Sequence, residues 1–382
     1  MSSRRTVHFV YAFGPNKSCP NAIGRELTLR LENEFQVIQH HWNSEEVIYP
    51  SDGDILLGHP YYSPSKCFYR SMKNKGWSRV IGMWPFSSGD LTHSAFQDQV
   101  IRHCDLFLLI TGPYYFKNLG QTIYQDWLPK ARHLDLGVNR NDFPVLKQNF
   151  NPPTQRKFVY IGSKTTYKNL PYLSALALAN PHLSISWIGN PKDEALPGVA
   201  SLGYSDFQSP EGKALVSQFD FLITVGSSDA NPATILESMA WGLVPICTPQ
   251  SGYDSCPGIL NLPLGDIESA SKVINAANQL EDAVLKNMQQ TNWTALDGHY
   301  NWDQFSKDVL AAIQSSESPR LNSNLSRRAI LYYFSLIAPW DSTLYSRMAA
   351  PGKKGTATRK AIKHLFSAIS SSIEHTIQKK RL

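Results

Sequence analysis

The run FLITVGSSDANPATILESMAWGLVPICTPQSG, residues 221–252, constrains this chain more than any other stretch. Residues 221–225 and 244–248 are apolar runs of buried-strand length. The sequence between them is long enough for a crossover helix, so the two strands are read as parallel. Pro232 suits the first turn of that helix, where its missing N–H has no partner, and Gly242 stops it. Ile235, Leu236, Met239 and Ala240 fall on the sheet side, which puts Thr234, Glu237 and Trp241 on the outer side.

A helix that starts behind the carboxyl end of a strand presents free N–H groups and a positive dipole end, and both favour a phosphate. Glu237 lies about 7 Å further along the helix at 1.5 Å of rise per residue, roughly the span from a nucleotide's diphosphate to its ribose. A carboxylate there can accept both ribose hydroxyls. An isolated glutamate on a helix is ordinarily just a solvated residue, so the neighbours have to carry this reading.

The rest of the chain repeats the rhythm. Apolar runs at 7–13, 35–38, 55–57, 80–83 and 106–110, followed by a further short strand at 132–138, are separated by connections long enough for helices, the pattern of a mostly parallel sheet covered on both faces. Gly14 and Asn16 lie in the loop after the first strand, ahead of a helix with Ile23, Leu27 and Leu31 on its inner face. Residues 144–156 hold three prolines and no period, which marks a linker. A second series of strands follows at 157–161, 183–188, 199–202, 219–224 and 244–246. The first of these leads into GSKTTYKN, where Gly162, Lys164 and Lys168 follow a strand end. The reading is α/β, with domains at 1–145 and 157–316 and an extension at 317–382.

These strings resemble the GT-B glycosyltransferases, and within them glycosyltransferase family 4. The family signature has an acidic residue, seven others and a glutamate ahead of a Met-Ala-x-Gly-x-Pro turn. Here Asp229, Glu237, Met239, Ala240 and Gly242 hold those places, and Pro245 comes one position late. Asp229 stands where glutamate is usual, and Asn231 and Ala233 where the loop usually has glycines. Gly162 and Lys168 match the family's phosphate loop, but Ser163 replaces its arginine and Lys164 is the nearest substitute. Lysine offers a point charge without the guanidinium fork. LDLGVNRNDF, at the close of the first domain, and HYNWDQFSKDVLAAI, with Trp302 and Phe305, resemble two further family segments. The position where relatives carry a histidine reads GMWPFSS, with His59 and His93 nearby.

The resemblance implies two facing Rossmann-like domains with a cleft between them. It also implies transfer from a nucleotide-sugar donor to a glycan or lipid-linked acceptor in cell-surface polysaccharide, lipopolysaccharide or glycolipid synthesis, with retention. Asp229 and Lys168 are then catalytic. Gly162, Lys164, Lys168, Asn231, Pro232, Ala233 and Glu237 hold the donor, and the loop with Gly14 and Asn16 faces the acceptor. No cofactor and no metal are expected, the nucleotide sugar being a substrate. A nucleotide-sugar epimerase of the same fold, or an inactive nucleotide-sugar-binding partner, remains open.

Composition sets the surroundings. Five cysteines without a CxxC or a Cys/His ligand cluster fit a reducing compartment and no structural zinc. The run at 7–13 is short for a signal core and interrupted by His8, so a cytoplasmic location is expected. Of 37 Lys and Arg and 31 Asp and Glu, residues 320–382 hold twelve and two, leaving 25 against 29 elsewhere. In 357–380, Ile362, Leu365, Phe366, Ile369, Ile373 and Ile377 form one apolar stripe, with Arg359, Lys360, Lys363 and Lys379 outside it. That pattern fits a basic helical tail on an anionic membrane surface, or equally a helix packed on the body. Nucleic acid is not expected, because the tail lacks interleaved aromatics.

Overall fold

The computed structural model describes residues 4–15, 18–190, 194–321 and 325–337. The first half builds a six-stranded sheet in the order β2-β1-β3-β4-β5-β6. Its strands are β1 (Thr6–Tyr11), β2 (Gln36–His41), β3 (Ile55–Gly58), β4 (Arg79–Pro85), β5 (Leu106–Ile110) and β6 (Ala131–Leu134). The second half builds another in the order β12-β11-β10-β7-β8-β9. These strands are β7 (Lys157–Ile161), β8 (Ser184–Ile188), β9 (Ala200–Ser201), β10 (Phe221–Thr224), β11 (Val244–Cys247) and β12 (Leu260–Asn261). Every neighbouring pair is parallel. The α/β architecture of two Rossmann-like halves is therefore present.

Parallel sheets with helices on both faces need strands apolar on both sides. β5, LFLLI, and β10, FLIT, are buried at every residue. The edges differ: β2 is the largely exposed QVIQHH, and β9 and β12 are two residues each. Short or polar edges resist pairing with a further strand. The sequence reading missed β12, which is too short to leave a periodic signal.

Helices α1 (Cys19–Leu31), α2 (Cys67–Ser71), α3 (Ser94–His103) and α4 (Pro113–Asn118) belong to the first half, and α5 (Leu170–Ala179), α6 (Pro210–Val216), α7 (Ala233–Trp241), α8 (Ile267–Asn278) and α9 (Asp282–Gly298) to the second. The chain then returns. α10 (Trp302–Gln314), which the sequence reading placed with the second domain, packs on α1, β4 and β6, and Arg30 pairs with Asp303 at 2.7 Å. α11 (Leu325–Ile337) lies against α3 with Ile330, Leu331 and Phe334 buried. The remainder of the expected basic tail, 338–382, and Asn16 lie outside the described residues. No helix among the described residues is long and apolar enough to cross a membrane.

Residues 144–156 are irregular, as read, but firmly held. Asp220, fully buried, accepts from the backbone N–H of Asn151 and Lys157 and pairs with Lys147 at 2.9 Å. Leu146 and Lys147 both donate to the Trp241 carbonyl at 2.9 Å.

That linker overturns one expectation about α7. Trp241 does not face out; it is 4% exposed, with Phe143 and Phe207 rings 5.8 and 5.2 Å from its own. Helical periodicity reads the sheet side correctly, but α9 and the linker cover the other side as a second layer. Trp241→Ala should therefore lower the apparent unfolding free energy by about 3–5 kcal/mol. Urea denaturation checks it, and a change below about 0.5 kcal/mol, the surface range, would put the ring in solvent.

Candidate active site

In the second sheet the strand order reverses between β7 and β10, and in open parallel sheets ligands collect outside the carboxyl ends at such a switch point. The loops leaving those two strands, 162–169 and 225–232, are tied together there. The Ser227 N–H donates to the Tyr167 carbonyl at 2.8 Å, and Lys168 Nζ donates to Asp229 Oδ2 at 2.6 Å. Lys168 and Asp229 are 61 residues apart in sequence and mostly buried, with 19% and 13% of their side-chain surface exposed.

The start of α7 is free in the required sense. Pro232 is its N-cap, one position earlier than a first-turn proline, and no side chain caps the helix. Asn231 accepts from Tyr253 Oη, while its own Nδ2 is buried without a partner. Ala233 opens the helix, and Gly242 at φ +93° ends it in the left-handed region that glycine tolerates. Gly162 follows β7, its carbonyl taking the Trp187 indole N–H at 2.9 Å.

Glu237 lies one turn into α7, partly exposed, with no hydrogen bond or ion pair among the described residues. Burial pushes its carboxyl up to about 7. Cys19, at the start of α1 in the first half, is held up to about 12 by burial and then by the Glu237 charge, with Lys168 and Asp229 also in reach. The entry to α1, which follows the loop carrying Gly14, thus sits across from all three donor-side groups.

The two halves touch at backbone distance. The Gly112 N–H donates to the Ala230 carbonyl at 2.8 Å and the Tyr114 N–H to the Gly252 carbonyl at 3.0 Å. A Cβ on Gly112 would lie 2.3 Å from the Gly252 oxygen, so no other residue fits without parting the halves. Ser87 and Ser228 share a hydrogen bond of 2.8 Å across the same junction. Beside it opens a cavity of about 440 Å³, lined from the first half by Tyr62, Asp90 and His93 and from the second by Tyr167, Ser228 and Asp229.

Two expectations change here. Lys164 is turned to Glu194 at 2.9 Å and lines a separate groove with Thr165, Asn169 and Pro171; Lys168 alone of the two faces Asp229. His59 is not at the cavity: it is 3% exposed, accepts the Tyr61 N–H at 2.8 Å, and burial pulls it down to about 3, so it stays neutral. His93 does reach the cavity, stacked on Tyr62 at 4.3 Å. Asp90 was missed altogether. Burial raises its carboxyl, with the nearby His93 opposing the shift, and it lines the same cavity as Asp229. Tyr61 and Tyr62, at φ +52° and +50°, hold consecutive left-handed conformations that cost about 1–3 kcal/mol each and gather at functional sites. No local sequence pattern marks either feature.

No family model matches the sequence, and no curated protein matches it. Solved structures do match in shape. A sucrose-phosphate synthase from Thermosynechococcus elongatus superposes at TM-score 0.59 and 12% identity over 81% of this chain and 98% of that one. An alpha-glucosyltransferase in complex with UDP-glucose and DNA containing an abasic site does so at 0.52 and 12%, over 82% and 100%. A UDP-forming alpha,alpha-trehalose-phosphate synthase from Burkholderia xenovorans, in complex with glucose-6-phosphate, matches at 0.52 and 11%, over 70% and 74%.

The raised Glu237 carboxyl has a stability consequence. In the unfolded chain it ionises near the ordinary glutamate value of 4.5, but in the fold only near 7. Its contribution is therefore most favourable below pH 4.5 and is lost as pH rises through 7, by on the order of 3 kcal/mol at most. Glu237→Gln should raise the thermal midpoint at pH 8 and leave it unchanged near pH 4. Midpoints of both proteins recorded across that range test this, and a constant difference would mean that Glu237 titrates normally.

Proposed function

We propose, from the GT-B fold that this chain has, that it is a glycosyltransferase moving a sugar from a nucleotide-sugar donor on the second half to an acceptor on the first. The observation that carries this is the meeting of Lys168, Asp229 and the uncapped start of α7 at the switch point of the second sheet, facing the first half across a cavity. The like-folded alpha-glucosyltransferase in complex with UDP-glucose and the UDP-forming trehalose-phosphate synthase support the donor class.

In this reading the diphosphate lies against the first-turn N–H groups of α7. Lys168 has three N–H donors, and Asp229 takes one, which leaves the ammonium held in place with donors to spare for a phosphate oxygen. Positive charge from the chain itself then meets the charge that develops on the leaving diphosphate, which lowers the barrier most where the donors are already positioned. Asp229 Oδ1, not used on Lys168, takes a sugar hydroxyl. The buried Asn231 Nδ2 supplies a further donor on the same side. Glu237 accepts from the ribose diol, and Gly162 and Ala233 let the nucleotide approach the backbone. Asp90 and His93 face the acceptor side of the cavity. Retention follows the resemblance to family 4, as does a glycan or lipid-linked acceptor.

A thermal-shift panel of UDP, GDP, ADP and TDP sugars should find one that raises the midpoint, because a ligand bound only to the folded state stabilises it by mass action. For that nucleotide, Glu237→Gln should cost about 1.5–3 kcal/mol of binding, a charge-assisted bond. Lys168→Ala should weaken it comparably and Lys164→Ala little, as calorimetry would show. If no nucleotide sugar binds, the inactive or unrelated readings take over. If one binds and is altered without any acceptor, the protein is an epimerase.

The membrane reading rests on sequence alone. We propose that 357–380 docks on anionic lipid, each basic residue adding about 1 kcal/mol near the surface. Full-length protein should co-sediment with anionic but not neutral vesicles in a salt-sensitive way. The quadruple variant Arg359→Gln, Lys360→Gln, Lys363→Gln and Lys379→Gln should bind markedly less. Equal sedimentation of both would remove the idea.

A further inference from the structure

We propose that His40, Glu46 and Cys67 bind a divalent cation of the zinc class, with one coordination position open to solvent. The three residues come from different elements: His40 from the end of β2, Glu46 from the loop beyond it, and Cys67 from the first position of α2. Their ligand atoms lie within 4.8 Å of one another, and tetrahedral zinc separates its ligands by about 3.3–3.6 Å. No sequence spacing announces the set. Parallel pairing of β1 with both β2 and β3 is what brings the segments together.

Hydrogen-bond direction supplies a second argument. Asp54 Oδ2 accepts the Ser51 N–H at 2.8 Å and faces His8 Nε2 at 3.2 Å. A carboxylate only accepts, so His8 carries its proton on Nε2 and turns the Nδ1 lone pair to His40 Nε2, 3.0 Å away. His40 therefore donates from Nε2. The Asp54–His8 pair is thus the outer support that a metal-bound imidazole usually has, and it leaves His40 Nδ1 as the ligand atom. That nitrogen faces Glu46 Oε1 at 2.7 Å, and Cys67 Sγ lies 3.7 Å from the same oxygen. Without an ion, a proton on His40 Nδ1 bridges that 2.7 Å contact and the Cys67 thiol donates to the same Glu46 oxygen, so imidazole and thiol both aim a proton at one carboxylate. A cation that displaces those protons would part the atoms to the spacing of zinc ligands and take all three, and nitrogen, oxygen and sulfur together suit zinc better than magnesium or calcium.

The site is also held before any ion arrives. The Cys67 N–H donates to the Ser44 carbonyl at 2.8 Å, the Ile48 N–H to Ser71 Oγ at 2.9 Å, and Asn74 to the Ile48 carbonyl at 2.7 Å. Lys66 pairs with Glu45 at 3.1 Å. These bonds fasten the Glu46 loop to α2 on both sides of the carboxylate. Cys67 is fully buried, while Glu46 keeps 46% of its side-chain surface exposed, which leaves a route for the ion and for a water ligand. Trp42, two residues after His40, packs on Tyr11 and His59, so the ion would brace the outer end of the first sheet.

The test uses full-length protein stripped with a chelator and titrated with Co²⁺, then Zn²⁺. One equivalent of Co²⁺ should produce a thiolate-to-cobalt charge-transfer band with tetrahedral visible bands. Zn²⁺ should abolish both and raise the thermal midpoint. Cys67→Ser should lose the charge-transfer band, while Cys104→Ser, at a buried thiol elsewhere, should keep it. Glu46→Gln, at the exposed edge, should weaken Co²⁺ binding by about tenfold or more. The proposal is overturned if no charge-transfer band appears, if the band survives in Cys67→Ser, or if Zn²⁺ leaves the midpoint unchanged. It is equally overturned if Glu46→Gln costs the same stability with and without Zn²⁺, the behaviour of a plain His40–Glu46 ion pair.

Discussion

Everything in the cleft depends on the backbone contact between the loop after β5 and the loops after β10 and β11. Two amide bonds, Gly112 to Ala230 and Tyr114 to Gly252, carry little energy, roughly 0.5–1.5 kcal/mol each. Their importance is geometric. With Gly112 and Gly252 lacking side chains, the carboxyl ends of two parallel sheets come close enough for one cavity to be lined from both. The crossing of α10 back onto α1, β4 and β6 fastens the same arrangement from the far side.

Within the cleft the charged groups are kept in different states by different surroundings. Asp229 is answered directly by Lys168, in an ion pair largely removed from water. Glu237 has no such partner, and burial alone drives its carboxyl toward neutrality near pH 7. Asp90, on the opposite wall, is likewise raised, with His93 pulling against the shift. A site with one fixed ion pair and two readily protonated carboxyls can hold an anionic ligand while leaving acceptors and donors for hydroxyl groups.

The same sheet that faces the cleft builds the His40, Glu46 and Cys67 cluster at its outer edge. β2 is polar because it is an edge strand, and this is why two histidines survive at its end. Their support comes from His8 on the neighbouring β1 and from Asp54, just ahead of β3. Such a cluster is a product of register, since His8 and His40 meet only because β1 and β2 run parallel as they do.

The sequence by itself determined the interior strands, because a parallel sheet buried on both faces writes continuous apolar runs, and it determined α7, because Gly242 and the 3.6-residue period are local signals. The loops holding Gly162, Lys168, Asp229 and Asn231 were legible for the same reason, each following a strand end. Only the tertiary structure decided what lies across a gap. Trp241 is buried because α9 and the linker form a layer that helical periodicity does not encode. Lys168 faces Asp229 while Lys164 turns to Glu194, a choice made by loop geometry rather than by residue type. Asp90, Tyr62 and His93 join the cavity, and Cys67 joins His40, through contacts between segments far apart in the chain, and no local pattern records which side chains such contacts bring together.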